Sequence, residues 1–76
     1  MSTHFNYEPE LIERTIQVEV RPEEFAHNVV PLPVVERFFQ DELARGLRLR
    51  SWVAEQICSA ADGLRIILTA RFAPPG

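Results

Sequence analysis

The sequence predicts a small α+β domain of β-α-β-β order, with one helix packed on a three-stranded sheet. Three observations point there. Residues 13–21 and 64–72 each alternate apolar with polar side chains, the period of a half-buried strand. Residues 33–45 instead place Val35, Phe38, Phe39 and Leu43 at helical spacing. Asp62-Gly63, ahead of the last alternating run, is a strong two-residue hairpin signal.

The first strand is expected from Glu13 to Arg21, with Ile16, Val18 and Val20 facing inwards. Pro22 ends it, because proline lacks a donor and holds the preceding residue extended. Residues 22–28 have the make-up of a single helical turn that starts at Pro22. Pro31 and Pro33 make residues 29–33 a connector, and Pro33 suits the first position of the helix that follows. Gly46 closes that helix in left-handed geometry.

Residues 47–59 are open to two readings. Leu47 and Leu49 alternate with Arg48 and Arg50. Ser51, however, could cap a helix in which Val53, Gln56, Ile57 and Ala60 share a face, with Gly63 ending it. The strand is preferred because the hairpin that follows needs a partner. Two loop lengths satisfy parity. A two-residue loop pairs Val53 with Phe72 and Ile57 with Leu68; a four-residue loop pairs Ile57 with Ile66. Either one places Leu47, Leu49, Val53 and Ile57 on the face of Leu64, Ile66, Leu68, Ala70 and Phe72. If the first two strands are parallel neighbours, their crossover is right-handed.

The 76 residues form one domain, with residues 1–11 and 73–76 expected to fray. A chain of this length buries only roughly 60% of its unfolded surface. Chains so small often add disulfides, a metal or a partner subunit. Cys58 is the single cysteine, which excludes an internal disulfide. The composition, 46% hydrophobic and 25% charged, is that of a folded domain. A net charge of −3 disfavours nonspecific attraction to nucleic acid or anionic membrane. There is no basic-then-apolar leader and no apolar run long enough to span a bilayer, so a cytoplasmic location and no membrane are expected.

No residue set carries a catalytic, metal-binding or cofactor-binding signature, so no catalytic residue, metal or cofactor is assigned. Glu24 and His27 have the Glu-x-x-His spacing of half a di-iron site, but a second helix bearing the other ligands is missing. Cys58 and His27 could act as nucleophile and base only in an environment that activates the thiol, and nothing local supplies one. The acidic residues Glu8, Glu10, Glu13, Glu23 and Glu24 read as solvated surface.

The face away from the helix carries the functional expectation. In the uninterrupted register it bears Arg48, Arg50, Trp52, Ala54, Gln56 and Cys58 from one strand, and Arg65, Ile67, Thr69 and Arg71 from the other. The four-residue register sets Trp52 against Arg71 for a cation–π contact. Tryptophan and arginine are enriched at interface hot spots. The set Arg48, Arg50, Trp52, Ile67 and Arg71 is therefore the expected contact surface of a non-catalytic interaction or accessory subunit. Its partner is expected to be a second copy, in a homodimer or larger homo-oligomer, or a larger protein, and an edge strand could extend the sheet across subunits. The alternatives are a nucleic-acid-binding regulator that uses Trp52 and the arginines as a stacking platform, or a Trp52 merely covered by Phe5, Tyr7, Leu11 and Ile12.

Overall fold

The computed structural model describes residues 10–61 and 63–75. Expectations about Met1 to Pro9, including cover from Phe5 and Tyr7, lie outside the described residues, as does Asp62; Gly63, expected in a two-residue Asp62-Gly63 turn, is instead a strand residue paired with Ala60. The chain runs through strand β1 (Ile12–Val20), a 3-10 turn (Pro22–Phe25), helices α1 (Leu32–Phe38) and α2 (Gln40–Ala44), and strands β2 (Arg48–Ala60) and β3 (Gly63–Ala73). The result is a three-stranded antiparallel sheet with two short helices, an α+β arrangement.

The single-helix β-α-β-β topology is not matched. The expected helix breaks at Phe39, whose φ of −120° and ψ of 34° leave the helical region. No proline or glycine stands at the break. Phe39 is instead pulled into the core, with its ring edge-on to Phe72 at 5.4 Å between centroids. The Phe39 N–H still donates to the Val35 and Glu36 carbonyls, and the Leu43 N–H donates to the Phe39 carbonyl, so the two helices follow one another with no loop between them. Gly46 takes φ of +92°, a left-handed closure that an L side chain resists.

The strand order is β1-β3-β2. β1 and β2 are therefore not neighbours: β3 lies between them and is antiparallel to both. The condition for a right-handed crossover between adjacent parallel strands is not met. β1 meets β3 in one unbroken register, from Ile12 opposite Phe72 to Val20 opposite Leu64.

β2 does not keep one register. Ala60 pairs with Gly63 and Cys58 with Arg65. The register then slips at Ile57, so Gln56 pairs with Ile66, Ala54 with Leu68 and Trp52 with Ala70. It slips again at Arg50, so Leu49 pairs with Phe72. Each slip is a β-bulge, an extra residue that exchanges the two faces of the strand beyond it. Two bulges leave Leu47 and Leu49 on the core face as expected but reverse the segment between them.

The expected inward placement of Val53 and Ile57 is thereby corrected. Val53 is 67% exposed and Ile57 44%, while Trp52 and Ala54 pack against the core. The gain is burial of the larger side chain. The indole lies opposite Ala70, whose small side chain leaves it room, and its Nε1–H donates to the Val30 carbonyl at 2.7 Å. The Trp52–Arg71 pairing of the four-residue register does not form.

The core lies between the sheet and the helical segment. Ile66, Leu68, Ala70 and Phe72 of β3 are wholly buried, under Val30, Val35 and Phe39, with Val34 and Phe25 alongside. Arg14 of β1 reaches Glu42 of α2 at 3.7 Å, and Trp52 holds the connector at Val30. These two contacts tie the helical layer to both outer strands.

Candidate interaction surface

The face of the sheet away from the helices is ordered in cross-strand rows. Glu13, Arg71 and Ser51 form one row, and Thr15, Thr69 and Val53 the next. Gln17, Ile67 and Glu55 follow, and Glu19, Arg65 and Cys58 close the series. Opposite charges meet directly: Arg71 Nε lies 3.3 Å from Glu13 Oε2, and Arg65 Nη2 lies 3.5 Å from Glu19 Oε2. The Thr15 and Thr69 hydroxyls are 3.1 Å apart. Exposed pairs of this kind contribute little to stability, each about 0–1 kcal/mol. Their effect here is to make the face nearly neutral, with Ile67 at its centre and Val53 beside it on β2.

The expected contact set is only partly brought together. Ile67 and Arg71 lie on this face, on the central strand. Arg48 reaches it at the start of β2, opposite Ala73. Arg50 is the extra residue of the first bulge and has no partner position on β3. Trp52 is on the other face, so its place in the set is a correction forced by the two bulges. Val53 occupies the position on the open face that Trp52 was expected to hold. The aromatic-plus-arginine platform required for stacking nucleic-acid bases is not assembled, because Trp52 and the arginines of β3 point to opposite sides. Arg65 and Arg71 are moreover matched by carboxylates. The cation–π contact that does occur joins Arg37 to Phe38, at 4.9 Å.

The other sequence candidates resolve into local structure. Glu24, half of the Glu-x-x-His spacing, accepts the Arg21 N–H at 2.9 Å and the Arg37 guanidinium at 3.1 and 3.4 Å. The backbone donor first, and the guanidinium second, hold its carboxyl below the ordinary value. Glu24 thus fastens the 3-10 turn to α1, and its oxygens are engaged. His27 is exposed in the turn that ends at Asn28, whose φ is +60°. Among the described residues no cluster of three potential metal ligands occurs. Cys58 is exposed, across from Arg65 on the open face. A cleft of about 580 Å³ lies where Arg21, Glu24, Arg37 and Gly63 meet, but its carboxylates Glu19 and Glu24 are already paired with Arg65 and Arg37.

The sequence leaves an edge strand as a second route to a partner; among the described residues β2 offers its outer edge, and the exposure of Val53 there is what sequence reasoning missed. A depression of about 220 Å³ there is lined by Asn28, Val29, Val30, Trp52, Val53 and Ala54. Val53 points to one face of the sheet, and Trp52 and Ala54 to the other. A depression touching all three therefore lies along the strand's outer margin. Val29, 60% exposed, adds an apolar side chain to it. The sequence signal was the spacing of three from Leu49 to Trp52, which breaks strict alternation.

Comparison with protein-family models, curated proteins and solved structures finds no match for this chain. Among the described residues, no helix is long and apolar enough to cross a membrane.

Proposed function

We propose that this chain is a small non-catalytic interaction protein that associates with a second copy of itself through its sheet. The observation that carries this reading is the one-sided sheet. Its helix face supplies the buried core of the described residues apart from Ala73, while the other face bears no second layer among the described residues and has Ile67 and Val53 among balanced charges. A chain this short has a marginal interior, so burial against a partner raises its stability directly. Alternating opposite charges suit a self-complementary contact, in which each carboxylate of one copy can meet an arginine of the other.

The test is the oligomeric state in solution. Light scattering coupled to size exclusion, repeated over a range of loading concentrations, is expected to give twice the 8.7 kDa of one chain at the higher concentrations. A mass of one chain throughout, at concentrations up to the millimolar range, refutes self-association.

A further inference from the structure

We infer that the contact with the second copy runs edge to edge, through antiparallel pairing of β2 with β2 about a two-fold axis at Val53. This rests on the self-association proposed above, but places it at the edge of the sheet, in a named register, rather than on the open face. Among the described residues β2 is an outer strand with a free edge, and such edges are templates for strand addition. Its two bulges leave one regular segment between them, residues 51–56, and interrupt the edge on either side. The bulges therefore confine pairing to this stretch.

Symmetry fixes the register further. A two-fold axis normal to the sheet keeps each face on its own side, so residues opposite one another must share a face, and the axis must pass midway between one residue and its own copy. Centring on Val53 sets the most exposed large apolar side chain among the described residues against its own copy. It also sets Trp52 against Ala54, a large residue against a small one, and Ser51 against Glu55. Centring on Ala54 would instead oppose Val53 to the Glu55 carboxylate. The depression along the edge, lined by Val29, Val30, Trp52, Val53 and Ala54, is where the side chains of the second strand would enter.

Charge selects the direction. β2 carries Arg48 and Arg50 at its start and Glu55 further along. Antiparallel pairing brings Glu55 of one copy to the position beside Arg50 of the other, whereas parallel pairing would align arginine with arginine. On the other outer strand, β1, the register centred on its apolar Ile16 fails the same test. Antiparallel pairing centred on Ile16 would set Glu13 opposite Glu19, and like charges directly opposed destabilise a ladder.

The experiment is cysteine cross-linking in a Cys58→Ser background, with Val53→Cys and Ile67→Cys as the two variants. Each is first checked by circular dichroism for a native fold and by light scattering for its mass. Residues opposed across an antiparallel pair have Cα atoms about 4.5–5.5 Å apart, within disulfide range. Mild oxidation is expected to convert most of the Val53→Cys chain to a covalent dimer and to leave the Ile67→Cys chain uncross-linked. Light scattering is also expected to show that Val53→Lys weakens association by about tenfold or more. Cross-linking through Ile67→Cys but not Val53→Cys overturns the edge contact and leaves self-association standing through the open face. A chain that dimerises but cross-links at both positions, or at neither, also overturns it. A monomer at every concentration removes both proposals.

Discussion

Replacing Trp52 with phenylalanine probes the reversed segment of β2, because its cost depends on which face the indole occupies. The structure supplies two contributions. Loss of the Nε1–H leaves the Val30 carbonyl without its 2.7 Å donor. An acceptor deprived of its partner costs about 1–3 kcal/mol when buried, and the lower part of that range applies at this half-buried site. The smaller ring also forgoes roughly 40 Å² of apolar contact, about 0.5 kcal/mol at half burial. The sum is about 1.5–2.5 kcal/mol, a large share of the stability expected of so small a domain. It corresponds to a fall in melting temperature of roughly 10 °C. Trp52 is the only tryptophan, so unfolding in urea must be followed by far-ultraviolet circular dichroism rather than fluorescence. A variant within about 0.5 kcal/mol of the parent, as for an indole lying on an exposed face, would refute the placement.

Other perturbations follow from the same packing. Phe72 is wholly buried against Phe39, so Phe72→Ala is expected to cost about 3–5 kcal/mol and leave the chain largely unfolded at 25 °C, as read by the loss of amide dispersion in a proton–nitrogen spectrum. A Cβ at Gly63 would stand 2.7 Å from the Val20 carbonyl oxygen. Gly63→Ala is therefore expected to cost about 1–3 kcal/mol in urea titration and to loosen the end of β1 first in hydrogen exchange. Glu24 has a carboxyl held below its ordinary 4.5, so its contribution to stability is complete above that value and disappears as the pH falls through the lower folded value. Glu24→Gln is expected to flatten the acid side of the stability–pH profile while lowering the neutral plateau, and an unchanged acid limb would contradict the Arg21 and Arg37 contacts.

Much of this architecture was legible because it rests on local pattern. β3 alternates from Leu64 to Phe72 with Ile67 as its one exception, and the structure buries each of the even residues apart from the half-buried Leu64. Pro22, Gly46 and the apolar run Ile16–Val20 likewise act through constraints that their neighbours reveal. The rest depended on choices among long-range contacts. The sequence of β2 offers Val53 and Ile57 as one apolar face and Trp52 and Ala54 as the other, and only the third dimension decides between them. Ala70 leaves space for an indole, and Val30 turns a carbonyl towards it. Both depend on residues remote in sequence. Val30 looked like part of a proline-bounded connector, yet it is fully buried and also anchors Trp52. The helix break escaped notice for a related reason: burial of Phe39 against Phe72 overrides helical continuity where neither proline nor glycine marks the place. For the candidate surface, one error of register moved Trp52 off it and Val53 onto it.

Cross-strand Cα-proton contacts in a nuclear Overhauser spectrum report the pairing of β2 with β3 directly. Contacts centred on Val53 with Thr69 and on Leu49 with Phe72 are expected, together with contacts from the Trp52 indole proton to Val30. An unbroken ladder with Val53 opposite Ala70 or Phe72 would contradict the two bulges, and with them the surface on which self-association has been built.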